Sequence, residues 1–264
     1  MAQPNYAILD RPEVLDRLFH PRPEWGGTDR GSGIDLDIPV TAEHTIGARW
    51  HLASTTAANL LFFHGNGEIV ADYDELGPLY NTQGINLLAV DYRGYGRSSG
   101  EPSVAAMMAD CHRILDYSRE WLRNNSYTGP LILMGRSLGS ASVLELAAAY
   151  PDRIQGLIIE SGFAYAAPLL RLLGIEPEWL GFEETAGFAN LDKIKNYHGP
   201  TLILHAEFDH IIPYSDSEAL FAASPSHTKR HVKIPGANHN DIFLRGMDIY
   251  LDAVKQFCSK DCKV

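Results

Sequence analysis

Short, largely apolar runs recur along this chain, bounded by glycine, asparagine, aspartate or proline. Six stand out: NLLFF (59–63), INLLAV (85–90), LILM (131–134), GLIIE (156–160), TLILHA (201–206) and RHVKI (230–234). Runs this short, without polar alternation, predict strands covered on both faces, as in a parallel sheet. Ahead of them, GIDLDIPV (33–40) and TIGARWHLA (45–53) predict a leading hairpin.

The intervening stretches change period. Residues 69–83 bridge the first gap, and SVAAMMADCHRILDYSREWLRN repeats apolar residues every three or four positions behind Ser103, a suitable N-cap. LGSASVLELAAAY (138–150) stops before Pro151. Ser215 or Asp216 is expected to cap SEALFAA, and Asp241 to cap IFLRGMDIYLDAVKQF. Strand–helix alternation of this kind predicts an α/β fold, with a mostly parallel sheet of about eight strands flanked by helices. Residues 1–32, rich in Pro, Arg and Gly, carry no assignable pattern.

One connection is out of proportion. The chain spends about forty residues between Glu160 and the next strand, where ~2–6 is usual. The segment contains LLRLLGIEPEWLGFEETAGF, with Trp179, Phe182 and Phe188 among its leucines. The expectation is one domain, 1–264, carrying a small lid insertion at about 163–198, built of one or two helices over the sheet edge.

Composition narrows the classes. At 264 residues and 45% hydrophobic, the chain can bury a core without staples. Cys111, Cys258 and Cys262 read as reduced thiols, because no matching His/Cys pair lies near the C-x-x-x-C. The opening MAQPNYAILDRPEV lacks the apolar core of a secretory leader, and no run approaches the ~18 residues of a membrane helix. A cytoplasmic protein without a membrane partner is expected. A net charge of −11 disfavours nucleic acid and anionic membranes as partners. Oligomeric state is not legible at this level.

The chemistry starts at Gly135-Arg136-Ser137-Leu138-Gly139, a G-x-S-x-G pattern between a strand and a helix. Such a turn holds its serine at strained backbone angles with the hydroxyl projecting from the sheet, and the flanking glycines prevent collision. The helix that follows points its positive end at the same place. A serine hydroxyl becomes a nucleophile only beside a base, and the base needs an orienting group. Of eleven histidines, His239 lies in IPGANHND, between the last strand and last helix, at the sheet end where ligands bind in such folds. The acid expected between them is Asp209 in HAEFDHIIP, with Glu207 and Glu160 as rivals. An oxyanion hole would use the backbone N–H of Leu138 and a second from His64-Gly65-Asn66-Gly67, for which Asn66 is favoured. His64, Asp91 and Arg93 read as structural, and which way Glu68 faces is not decidable.

Together these residues resemble the α/β-hydrolase superfamily, whose members carry serine, acid and histidine in the order Ser137, Asp209, His239. HGNG, DYRGYGRSSG, GRSLGS, HAEFDHIIP and GANHND follow the superfamily's order, and FHPRP (19–23) resembles the opening segment of one branch. That branch holds bacterial serine hydrolases of unsettled substrate and eukaryotic depalmitoylases. The likeness spans about 19–257. It implies a serine hydrolase acting on a small-molecule ester or thioester, with Ser137, Asp209 and His239 catalytic, Asn66 and Leu138 forming the oxyanion hole, and no metal or organic cofactor. The apolar insert predicts an apolar group of modest size. Two departures stand: no cysteine precedes Cys111, where depalmitoylases carry a membrane-attachment cluster, and His205-Ala206 replaces a common His-Gly. The rivals are a peptidase, an acyltransferase and a non-catalytic binding protein on the same fold.

Overall fold

The structure is a computed structural model that describes residues 6–25 and 33–262. The first residues of the segment read for a leader, and part of the unassigned stretch, lie outside the described residues. Eight strands form one sheet: β1 (Ile34–Pro39), β2 (Thr45–His51), β3 (Ala58–Phe63), β4 (Ile85–Val90), β5 (Leu131–Arg136), β6 (Gly156–Glu160), β7 (Thr201–Ala206) and β8 (Lys229–Ile234). Their order is β1-β2-β4-β3-β5-β6-β7-β8, antiparallel through β1, β2 and β4 and parallel from β4 onward. Every residue of β3 to β7 is buried, which accounts for their unbroken apolar runs, whereas RHVKI, in β8 at the sheet edge, is largely half-exposed and so is not covered on both faces. Burying each Leu or Ile side chain contributes about 1.5–3 kcal/mol.

Helices cover both faces: α1 (Pro12–Leu18), α2 (Leu76–Thr82), α3 (Val104–Asn124), α4 (Gly139–Ala149), α5 (Ala166–Leu172), α6 (Pro177–Leu180), α7 (Asn190–Ile194), α8 (Tyr214–Ala223) and α9 (Ile242–Gln256). None is long and apolar enough to cross a membrane. Ser103 caps α3 as expected, accepting from the Ala106 N–H at 3.0 Å.

Four readings are corrected. Residues 6–25 are not patternless: they contain a 3₁₀ turn (Tyr6–Ile8) and α1, and the Asp10 carboxylate accepts the Val104 N–H at 2.6 Å. Seven residues are too few to display a periodicity. Helix α8 starts at Tyr214 behind Pro213, so Ser215 and Asp216 lie inside it. Asp216 instead accepts the Ala164 N–H at 2.8 Å and ties down the start of the long connection. Asp241 holds the expected position before α9 but does not cap it; its carboxylate accepts the Asn238 N–H at 2.5 Å. The connection holds three short α-helices and a 3₁₀ turn rather than one or two helices. It rises from β6, inside the sheet, and so lies over strand ends rather than over an edge.

A partly buried ion pair joins that connection to the core. Lys193 of α7 meets Glu145 of α4 at 2.7 Å, and His112 of α3 lies 3.4 Å from the same carboxylate. Burial opposes ionisation of Glu145, but His112 and Lys193 outweigh it and hold the carboxyl down to about 2. A carboxyl more acidic in the folded than in the unfolded chain stabilises the fold above its unfolded value and loses that contribution as pH falls through its folded one. Stability in urea therefore declines between roughly pH 4.5 and pH 2, and Glu145→Gln flattens the decline. An unchanged pH slope in that variant would contradict this assignment.

Candidate active site

Parallel register brings five loops to one end of the sheet. Phe63 pairs with Gly135, Arg136 with Glu160, Glu160 with Leu204, and Ala206 with Ile234. The chain leaves β3, β5, β6, β7 and β8 at the same level. The loops after β3, β5, β7 and β8 carry Asn66, Ser137, Asp209 and His239 respectively.

Ser137 sits between β5 and α4 with φ of 49°, left-handed backbone that a serine adopts at a cost of about 1–3 kcal/mol. The turn is too tight for side chains beside it. A Cβ on Gly135 would come within 2.4 Å of the Gly139 carbonyl oxygen, and one on Gly139 within 2.1 Å of the Phe63 carbonyl oxygen. The Ser137 N–H donates to the Glu160 carbonyl at 2.9 Å, and the Ser140 hydroxyl donates to the Ser137 carbonyl at 2.6 Å.

His239 Nε2 lies 3.0 Å from Ser137 Oγ, and His239 Nδ1 lies 2.7 Å from Asp209 Oδ2. Both His239 and Asp209 are buried. Asp209 Oδ1 is occupied separately, accepting the Ile211 and Ile212 N–H groups at 3.0 and 2.8 Å. Burial opposes ionisation of Asp209, but His239 and those two N–H groups outweigh it and hold the carboxyl below its usual range. The acid and base loops are also bonded to each other, the Phe208 N–H donating to the Ala237 carbonyl at 2.8 Å. Ala206 ends β7 without left-handed backbone, so the missing glycine leaves this turn unstrained.

The rival carboxylates are engaged elsewhere. Glu207 accepts the Gly236 N–H at 2.9 Å, and Glu160 pairs with Arg136 at 2.9 Å. His64 bonds the Gly65 carbonyl at 2.8 Å and Asp91 at 3.2 Å, and Arg93 clamps Asp110 of α3 through two bonds. Both arrangements fit the structural reading.

In the loop after β3, the Gly65 N–H is taken by Glu68 at 2.7 Å. The N–H groups of Asn66 and Leu138 have no protein acceptor among the described residues. Both residues line one cavity of about 110 Å³ with Ser137. The Asn66 side chain is held at both ends: Oδ1 accepts the Tyr95 hydroxyl at 2.7 Å and the His20 N–H at 3.1 Å, and Nδ2 donates to the Leu18 carbonyl. Beyond Ser137 and Asn66 the cavity wall is apolar, drawn largely from α5, Phe163, Phe188 and Ile212, with Leu9 and Leu18 on the N-terminal side.

Three features escaped the sequence reading. Buried Arg136 donates to Glu68 at 2.8 Å, to Glu160 at 2.9 Å and to the His239 carbonyl at 3.0 Å. One guanidinium thus joins the Ser137 turn, the Asn66 loop and the His239 loop. Its position between Gly135 and Ser137 was visible, but its partners were not. Second, buried His205 bonds the Ile212 carbonyl at 2.8 Å and lies 3.5 Å from Asp209, stiffening the acid turn. Burial lowers its pKa. Third, α1 contributes to the cavity wall.

Comparison with known proteins finds proteins similar to this chain. A family model described as serine aminopeptidase, S33, matches residues 54–180, which include the Asn66 loop and the Ser137 turn but neither Asp209 nor His239. The uncharacterized protein YfhR of Escherichia coli (strain K12) is 27% identical over 252 residues, 92% of this chain and 87% of that one. Alpha/beta hydrolase domain-containing protein 17C of Mus musculus is 31% identical over 221 residues, 79% of this chain and 62% of that one. Among solved structures, the Pyrococcus furiosus esterase Pf2001 superposes with a TM-score of 0.73 at 16% identity, covering 93% of this chain and 100% of its own. Est1E from Butyrivibrio proteoclasticus, with ferulic acid bound, gives 0.69 at 22% identity, covering 86% and 98%. At those identities the structural likeness carries the fold.

Proposed function

The chain has the α/β-hydrolase fold, and from that premise we propose that it is a hydrolase that cleaves a carboxylic ester or thioester with a small to medium apolar acyl group, through an acyl-enzyme on Ser137. One observation carries the reading. Ser137 Oγ, bonded to His239, stands in a largely apolar cavity also lined by Asn66 and Leu138, whose backbone N–H groups have no protein acceptor among the described residues.

In this mechanism Ser137 Oγ attacks the substrate carbonyl as His239 Nε2 takes its proton. Asp209 accepts from His239 Nδ1–H, which fixes the tautomer and stabilises the imidazolium. The carbonyl oxygen, now an oxyanion, receives the N–H groups of Asn66 and Leu138; removing one such donor typically costs about 10²–10³-fold in kcat. The tetrahedral intermediate collapses, the C–O or C–S bond to the leaving group breaks, and His239 returns its proton to the alcohol or thiol. Water then attacks the acyl-enzyme with His239 as base, releasing the acid and restoring Ser137.

The peptidase alternative finds less support. An aminopeptidase must hold its substrate's ammonium group, and among the described residues no carboxylate lines this cavity. Paired p-nitrophenyl esters and thioesters from C2 to C16 test the proposal. The expected result is kcat/KM that rises with acyl length to an optimum and then falls. Rates that ignore chain length, or turnover confined to peptide amides, would contradict it.

A further inference from the structure

The apolar cavity has two walls of different origin. One belongs to the long connection: α5 with Phe163 and Phe188. The other is the N-terminal segment, which supplies Leu9 and Leu18. That segment is docked along its length rather than resting on the surface. Asp10 accepts the Val104 N–H at the start of α3 at 2.6 Å, and Val14 and Phe19 are buried. Arg22 Nε donates to the Gly67 carbonyl at 2.7 Å, and the Gly96 N–H donates to the Arg22 carbonyl at 2.9 Å.

Two further contacts tie α1 to the parts of the site on either side. Arg17 donates to the carbonyls of Leu173 and Gly174, at 3.0 and 2.8 Å. These carbonyls lie at the C-terminal end of α5, where a helix leaves acceptors unpaired and favours a cation. Gly174 has φ of 72°, and a Cβ there would come within 3.1 Å of Arg17 Nη1, so the glycine permits the approach. On the other side, the Leu18 carbonyl accepts from Asn66 Nδ2. Leu18 therefore faces the cavity with its side chain while its backbone holds the residue that offers an unpaired N–H.

Resting on the ester or thioester reading above, we propose that the docked N-terminal segment is the wall that limits acyl length, with Leu9, ahead of α1, and Leu18, at its end, as specificity-determining residues. Arg17 is a positioning residue that sets the distance between this wall and α5. An acyl chain growing away from Ser137 meets Leu18. A chain too long for the gap pushes on the residue that steadies Asn66, so excess length is penalised in the oxyanion hole as well as by lost contact. Each methylene that finds room strengthens binding by about fourfold, and the gain stops where the wall begins.

Two series of measurements test this. The first is binding of n-alkanols from C3 to C12 to Ser137→Ala protein, by calorimetry. The second is kcat/KM for p-nitrophenyl esters on protein with Ser137 intact. Both are made with Leu18 unchanged and with Leu18→Ala, Leu18→Phe and Arg17→Ala. Affinity is expected to rise about fourfold per carbon and then break. Leu18→Ala moves the break at least one carbon longer, and Leu18→Phe moves it shorter. The ratio of C8 to C2 ester turnover falls at least tenfold in Leu18→Phe. Arg17→Ala blunts the break and raises KM for long esters more than it lowers kcat, which loss of stability alone would not do. A break at one length in all variants, or affinity that never rises with length, overturns the proposal. A moving break in a protein that hydrolyses no ester would leave the wall standing and defeat the ester reading instead.

Discussion

Asp209→Asn is expected to lose about 10⁴-fold in kcat on an activated ester while unfolding close to the wild type. The orientation of the new amide is dictated by what surrounds it. Asp209 Oδ1 accepts two backbone N–H groups, from Ile211 and Ile212. Only a carbonyl oxygen can take that place, so the amide nitrogen must face His239 Nδ1, 2.7 Å away in the native site. An amide nitrogen donates where the carboxylate accepted. His239 is then driven to carry its proton on Nε2, the nitrogen that has to receive the proton from Ser137. The site keeps its shape and loses its base. Steady-state kinetics with a melting curve check this; a variant that retains a tenth of wild-type turnover would remove Asp209 from the mechanism.

The second large effect is on stability. Arg136→Met is expected to destabilise the fold by about 3–5 kcal/mol, because breaking a buried ion cluster strands its remaining charges. Glu68 and Glu160 face the guanidinium from two sides, and Tyr73 and Tyr250 donate to them at 2.7 and 2.6 Å. Burial opposes ionisation of Glu68, but Arg136 and Tyr73 outweigh it and hold its carboxyl at about 2. Burial raises the pKa of Glu160. The cluster is therefore one cation with a firmly ionised carboxylate and a second that resists ionisation. Removing the cation leaves Glu68 either charged without its partner or protonated at a cost, and drops the hydrogen bond to the His239 carbonyl. Adding Glu68→Gln and Glu160→Gln to Arg136→Met is expected to recover most of the loss, since a neutral polar cluster has no stranded charge. Urea unfolding of the single and triple variants separates the cost of charge from the cost of lost shape. Equal instability in both would contradict the electrostatic account.

Much of this architecture is legible in the chain, for identifiable reasons. Strands such as INLLAV and TLILHA are sealed on both faces, and burial leaves a continuous apolar signature whose ends the structure matches residue for residue. The Ser137 turn is equally legible, because the two glycines answer a steric demand from nearby backbone. Helix α1 was not legible: PEVLDRL shows less than two turns, and its hold on the site comes from tertiary contacts of Asp10, Arg17 and the Leu18 carbonyl. The start of α8 was misread because Asp216 has the chemistry of a cap but is recruited by the Ala164 N–H, 52 residues away in sequence. Arg136 shows the same limit. Its neighbours in sequence give its position, whereas Glu68, Glu160 and the His239 carbonyl approach from three other segments.

The most direct test of the central claim is intact mass after treatment with a fluorophosphonate, for wild type and Ser137→Ala. Such a probe phosphonylates a serine only when a base removes its proton, which is the property assigned to Ser137 with His239 at 3.0 Å. The account predicts one adduct on the wild type and none on the variant. An unmodified wild type that is folded, or an adduct that survives Ser137→Ala, would contradict it.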